Sequence, residues 1–145
     1  MREIKFRAWD KENKHMTYNI QEMYDGYCDD TDNGLYGYMS CFTSFLYDEN
    51  FIVMQYTGLK DMNGKEIYEG DIIRYPAKRS WENENFTSYI VWFDDRPEWG
   101  IEYKLRAQFH GALCGGYVES NLKNANKMLK IGNIFENPEL IKVDR

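Results

Sequence analysis

The chain has 145 residues, of which 43% are apolar and 17% aromatic, so it carries enough buriable surface to exclude a disordered chain. Its 24 acidic and 18 basic side chains give a net charge of −6, which argues against nucleic acid as the partner because phosphate binding relies on clustered Lys and Arg. No apolar run approaches the roughly 20 residues that a membrane-spanning helix needs.

The N-terminal part of the chain is predicted to form a β-hairpin. Apolar residues at positions 4, 6 and 8 alternate with charged residues, which is the period of a half-buried strand. A polar loop over residues 10–14 then leads to a second short strand at residues 15–18.

A second hairpin is predicted near the middle of the sequence. Residues 51–56 are rich in residues that favour strands, and Thr57-Gly58 is expected to end this strand. The dipeptide Asn63-Gly64 predicts a type I′ turn, because Asn and Gly tolerate the two positive φ angles that this turn requires. Short strands at residues 66–68 and 72–75 follow, and the second ends at a proline, which cannot donate a ladder hydrogen bond.

The C-terminal half predicts further strands and one helix. The strands span residues 88–93, 99–109 and 131–135, and a turn of small residues is expected at 111–116. Leu122, Ala125 and Leu129 recur at spacings of three and four, which predicts a helix over residues 119–130.

These elements together predict the fold class. Short strands punctuated by glycine are typical of small barrels and sandwiches. We therefore predict a mainly β protein that forms a single compact unit over residues 1–145, with one short helix. An N-terminal β-hairpin and an acidic aromatic segment occupy residues 1–55, and a small β-barrel occupies residues 56–145.

The charge of the chain is concentrated in one window. Residues 15–59 contain seven acidic residues, no Lys or Arg, and seven of the twelve tyrosines. Tyrosine rings beside carboxylates suit contact with a basic protein surface, which makes Asp29, Asp30 and Asp32 candidate partner-binding residues. The alternative is a solvated insert whose tyrosines are half-buried.

Patterns that would carry catalysis or metal binding are incomplete. Residues 29–34 resemble the start of an EF-hand loop, but position twelve of that loop would be Ser40 where a Glu is required. Residues 58–66 have the wrong glycine spacing for a phosphate-binding loop. Neither Cys nor His shows zinc spacing. We therefore expect no metal, no cofactor and a non-enzymatic role, while His110 and Cys114 leave a small cysteine-dependent hydrolase as an alternative.

A nucleic-acid-binding β-barrel is a further alternative. Lys123, Lys127 and Lys130 lie on one side of the predicted helix, and Trp81 lies in a polar loop where it could stack on a base. So few phosphate contacts would bind weakly and with strong dependence on salt.

Four segments resemble the YopX family of phage and prophage proteins: IKFRAWD at residues 4–10, QYTGLKD at 55–61, NGKEIYEGDII at 63–73 and IGNIFENPEL at 131–140. The resemblance implies a mainly β protein with an SH3-like small barrel in its C-terminal part. It implies no activity, because the family is of uncharacterised function, and it transfers no catalytic residue.

Small barrels often bind partners on an aromatic-lined face between loops. The predicted groove residues are Tyr56, Tyr68, Tyr75, Trp81 and Trp92. The three widely spaced cysteines are typical of reduced thiols, and the first residues lack the features of an export signal, so we expect a cytoplasmic protein in the host cell. We predict a phage or prophage accessory protein that binds a host or phage protein. Assembly into a homo-oligomer is left as a further possibility.

Overall fold

The structure, a computed structural model, describes residues 1, 3–23, 41–74, 87–95, 98–109 and 112–141. The chain divides into two compact units, Met1–Gln55 and Tyr56–Arg145. The elements in chain order are β1 (Phe6–Asp10), β2 (His15–Tyr18), α1 (Cys41–Tyr47), β3 (Phe51–Lys60), β4 (Glu66–Tyr68), β5 (Asp71–Arg74), β6 (Thr87–Phe93), β7 (Glu98–Phe109), β8 (Ala112–Asn121) and β9 (Leu129–Asn133), with 3₁₀ helices at Ile20–Glu22, Leu122–Lys127 and Pro138–Ile141. The predicted mainly β class is confirmed.

The first unit is built on the hairpin that the sequence predicts. Residues 7–10 of β1 pair antiparallel with residues 15–18 of β2. The Asp10 carboxylate organises the loop between them by accepting hydrogen bonds from the side-chain amide and backbone N–H of Asn13 and from the backbone N–H of Glu12. The bonds from Asn13 are the main reason that the pKa of Asp10 is lowered to about 2.

Aromatic contacts hold the helix α1 in the first unit. The ring of Phe42 lies 4.9 Å from that of Phe6, and the ring of Phe45 lies 4.8 Å from that of Phe51, measured between centroids. The sequence pattern does not predict this helix, because its aromatic residues and threonine favour strands locally. Tertiary packing of the two phenylalanines outweighs that local preference.

The strand β3 runs through the boundary between the two units. Its residues 51–55 pair with β1, and its residues 56–60 pair with β4. The predicted end of the strand at Thr57-Gly58 is therefore wrong: the register shifts in this stretch, and Gly58 takes a positive φ of 85°. An irregularity of this kind bends a strand without ending it.

The turn after β3 differs from the predicted type I′ turn. Gly64 has a positive φ of 79°, but Asn63 does not adopt positive φ. The backbone N–H of Gly64 donates to the Asp61 carbonyl at 3.0 Å, and the N–H of Asp61 donates to the Lys65 carbonyl at 2.8 Å. A tight turn followed by one left-handed glycine is the other common way to close a short hairpin, and it needs only one positive φ.

The second unit contains a five-stranded antiparallel sheet in the order β8-β7-β6-β5-β9. Its core is formed by the buried side chains of Ile67, Ile73, Ile90, Ile101, Leu122, Ala125 and Met128. One of the two sheets formed by the described residues curls into a half-barrel. The SH3-like description stays a prediction.

Two predicted elements in the second unit are wrong. The small-residue turn at residues 111–116 is replaced, from residue 112 on, by β8, which pairs residue by residue with β7. The helix predicted over residues 119–130 is the end of β8, a 3₁₀ helix and the start of β9. Leu122, Ala125 and Met128 are buried at a spacing of three, which is the repeat of a 3₁₀ helix.

Candidate functional site

A pair of tryptophans lies near the end of the hairpin formed by β6 and β7. Trp92 is directly opposite Trp99 in the register, and their rings meet edge to face with centroids 4.9 Å apart. Two positions further along the same strands, Ile90 is opposite Ile101, and both are buried in the core. Because side chains two residues apart share a face, the tryptophans continue the row that forms the core.

This row passes from the interior to solvent within one residue pair. Trp99 is half-buried and packs against the core, whereas Trp92 is 42% exposed. Two exposed carboxylates, Asp94 and Asp95, lie in the turn of the same hairpin. We call these four residues the Trp92 surface. An exposed indole beside carboxylates can accept an aliphatic or aromatic anchor, or a cationic side chain, from a partner.

Phe93 and Gly100 support the hairpin. A Cβ atom on Gly100 would collide with the ring of Phe93, so the ring lies directly against the glycine backbone. A glycine in a strand interior commonly marks such a close approach. Gly100 is therefore needed here for its lack of a side chain.

Replacing Gly100 with alanine is expected to lower the free energy of unfolding by about 1–3 kcal/mol, because the added methyl group must displace the ring. In a Phe93→Ala background the same change should cost much less, since the ring is gone. Urea denaturation of the four proteins in this cycle measures the difference. An equal cost in both backgrounds would show that the ring contact is not the cause.

The groove and partner-binding residues predicted from the sequence differ from one another in burial. Tyr56 and Tyr68 are 3% and 2% exposed, and their rings pack together with centroids 5.3 Å apart. They fill the interior of the second unit, and Trp92 is the exposed member of the predicted groove set among the described residues. Tyr75, Trp81, Asp29, Asp30 and Asp32 lie outside the described residues. The partner-binding role of this set stays a prediction.

The structure describes some of the residues on which the hydrolase and nucleic-acid-binding alternatives depend. His110 lies outside the described residues, and the structure describes only the backbone of Cys114, in β8. Lys127 is exposed, but the ammonium group of Lys130 points into the second unit and is 2.7 Å from Asp71. The basic row that the nucleic-acid alternative requires therefore loses Lys130.

The sequence reasoning missed a buried polar cluster around Lys130. Its Nζ atom contacts Oδ2 of Asp71 at 2.7 Å, donates to the Glu66 carbonyl at 3.0 Å, and lies 5.8 Å from the centre of the Tyr68 ring. Asp71 is fully buried, and its Oδ2 also accepts a hydrogen bond from the backbone N–H of Tyr68. The cluster joins β9 to the segment of β4 and β5.

Asp61 is a second buried carboxylate with a structural task. Its Oδ1 accepts the backbone N–H groups of Asn63 and Lys65, and its Oδ2 accepts that of Lys130. Burial would raise the pKa of Asp61, but the hydrogen bonds from these three N–H groups and the charge of Lys65 outweigh it and lower the pKa. Asp61 thus stays ionised while it holds the hairpin loop to β9.

The fold and this surface together define a mainly β protein whose described residues form two antiparallel sheets, one short α-helix and an exposed tryptophan at a hairpin end. The YopX protein family matches residues 5–142, so the chain belongs to the YopX family. The predicted family resemblance is therefore confirmed.

Two solved structures are similar to this chain over nearly its full length. Protein EF1440 from Enterococcus faecalis is 29% identical, with a TM-score of 0.55, and the match covers 98% of this chain and 100% of that one. Protein yopX from Bacillus subtilis is 16% identical, with a TM-score of 0.44, covering 97% and 98%. No curated protein matches the sequence.

Within the residues that the structure describes, no helix has the length and apolar character needed to cross a membrane. The same part of the chain holds no group of three or more His, Cys, Asp and Glu side chains placed to bind a metal ion.

Proposed function

We propose that this protein is a non-enzymatic accessory protein of a phage or prophage that binds a host or phage protein through the Trp92 surface. The observation that carries the proposal is the 42% exposure of Trp92 on a row of side chains that otherwise forms the core. Tryptophan is the side chain most enriched among the residues that dominate protein interfaces, because it combines a large apolar area with few rotatable bonds.

The arrangement of polar groups supports binding over catalysis. The carboxylates of Asp61 and Asp71, which belong to the segments that resemble the family, bind backbone N–H groups and Lys130 inside the second unit. Each of these groups already has a structural partner, so its contribution to the protein is explained by the fold. The Trp92 surface exposes the indole of Trp92 and the carboxylates of Asp94 and Asp95 to solvent.

The charge of the surface favours a protein over a nucleic acid. Asp94 and Asp95 are exposed in the turn that follows the strand of Trp92, and their charges would repel phosphate groups. A protein partner can instead place an apolar anchor on the indole and basic groups near the carboxylates.

Replacing Trp92 with alanine is expected to weaken partner binding by about 30-fold or more, because an exposed tryptophan of this kind is typically worth 2 kcal/mol or more at an interface. The matched control is Leu59→Ala, which removes another exposed apolar side chain of the second unit and should leave binding unchanged. Partners are captured from host lysate with the three proteins and identified by mass spectrometry, and the affinity is then measured with the purified partner.

The same proteins distinguish the alternative. Equal affinity of the wild-type chain and the Trp92→Ala variant for the captured partner would contradict the proposal. A mobility shift of single-stranded DNA that the Trp92 variant loses would favour the nucleic-acid-binding alternative. Unfolding in urea checks that Trp92→Ala leaves the fold intact, as expected for a side chain this exposed.

A further inference from the structure

The hairpin of β7 and β8 extends beyond the rest of its sheet. The pairing of β6 with β7 ends at Ser88 opposite Tyr103, but β7 continues to Phe109 and stays paired with β8. Residues 104–109 and 112–117 thus form a two-stranded ribbon that has no third strand among the described residues. An isolated two-stranded hairpin is at best marginally stable in water, so the ribbon needs a further contact.

The two edges of the five-stranded sheet differ in the groups that cover them. At the β9 edge, the backbone N–H of Lys130 donates to Oδ2 of Asp61 at 3.0 Å, and that of Asn133 donates to Oδ1 of Asn137 at 3.3 Å. Side chains of the chain itself therefore block that edge against further strands. At the β8 edge, no strand of the described part of the chain is paired.

The first seven residues of β8 lack the usual protections of an exposed edge. Residues 112–118 read ALCGGYV and contain no charged residue and no proline, and the charged residue of β8, Glu119, lies beyond them. Charged side chains, especially Lys, and proline are the common means by which edge strands avoid pairing with another chain. Residues 112–118 therefore add no charge of their own that would repel a second copy.

We propose that β8 pairs with β8 of a second copy of this chain, antiparallel about a twofold axis. A second copy presents the same neutral edge, so one set of main-chain hydrogen bonds completes both ribbons at once, whereas a foreign strand would complete only one. The edge has no charge in residues 112–118 that would select a foreign partner. This interface is separate from the Trp92 surface, and it does not depend on the proposed function.

The test is the molar mass of the full chain in solution, measured by light scattering during gel filtration. The wild type is expected at twice 17.4 kDa. Gly116→Lys, near the middle of β8, should place two like charges face to face and weaken the dimer at least about tenfold. The matched control is Asn126→Lys, which adds the same charge at an exposed position outside β8 and should remain dimeric.

Opposite charges at position 116 are expected to restore the dimer. Gly116→Asp should also be monomeric, and a mixture of the Lys and Asp variants should form a mixed dimer, because opposite charges then meet near the axis. Circular dichroism and thermal unfolding verify that each variant is folded.

Three results would overturn the inference. They are a wild-type chain with the monomer mass of 17.4 kDa at all concentrations, a Gly116→Lys variant that stays dimeric, or a mixture of the folded Lys and Asp variants that stays monomeric. If the position 116 variants fail to fold, cross-linking decides. In a chain carrying Cys28→Ser and Cys41→Ser, a short bis-maleimide should join two copies through Cys114, and recovery of uncrosslinked chain alone would refute the interface.

Discussion

Replacing Lys130 with methionine is expected to lower the free energy of unfolding by about 3–5 kcal/mol. Methionine keeps much of the apolar stem but removes the ammonium group that lies 2.7 Å from the fully buried carboxylate of Asp71. The carboxylate would then remain in the interior without its counter-charge, and burying an unpaired charge lowers the free energy of unfolding. Urea or thermal unfolding followed by circular dichroism measures the loss.

The control for this prediction is Lys127→Met. Lys127 is exposed in the neighbouring 3₁₀ helix, so its replacement should change the stability by less than about 0.5 kcal/mol. Adding Asp71→Asn to Lys130→Met should recover part of the loss, because the buried negative charge is then also removed. Equal effects of the Lys130 and Lys127 replacements would contradict the role of the ion pair.

The second large effect is expected for Asp61→Ala. This change removes the acceptor of three backbone N–H groups, those of Asn63, Lys65 and Lys130. An unsatisfied buried donor costs about 1–3 kcal/mol, but these three hydrogen bonds are part-buried and water can reach some of the donors, so a total loss of about 2–3 kcal/mol is expected. Asp48→Ala, which removes the acceptor of one exposed backbone N–H, should cost no more than about 1 kcal/mol.

The pH dependence of stability gives an independent check on Asp61. Because its pKa is lowered in the folded protein, the stabilisation that it contributes is fully present above the ordinary aspartate pKa of 3.8 and is lost as the pH falls through the folded value. Asp61→Asn does not titrate, so its stability should fall less than that of the wild type between about pH 4 and pH 2. Parallel stability curves for the two proteins over that range would rule out this linkage.

These two carboxylates give the family-like central segment a physical meaning. Asp61 joins the β3–β4 loop to β9, and Asp71 joins the backbone of Tyr68 to Lys130. Gly70, between the strands, has a φ of 76°, a region that side-chain-bearing residues rarely adopt. The segment is thus explained by the requirements of the fold.

Local patterns in the sequence were enough to locate most strands. β1, β2 and β7 are recognisable because alternation along a strand reflects one buried and one exposed face, and that signal needs no knowledge of the neighbours. β6 is recognisable because its residues 89–93 form a continuous run of residue types that favour strands. The four motif segments were likewise enough to identify the YopX family. The position of the turn near Gly64 was also readable, because positive φ is a local demand on residue type.

Contacts between distant residues decided the remainder. The residue types of 41–47 favour strands, yet these residues form a helix whose rings contact Phe6 and Phe51. The glycine-rich residues 112–116 look like a turn, yet pairing with β7 makes them a strand. Tyr56 is buried and Trp92 is exposed, although both are aromatic residues in strands. Residue type and period report which side chains can be buried, whereas actual burial depends on what packs across from each of them, and that is a property of the assembled chain.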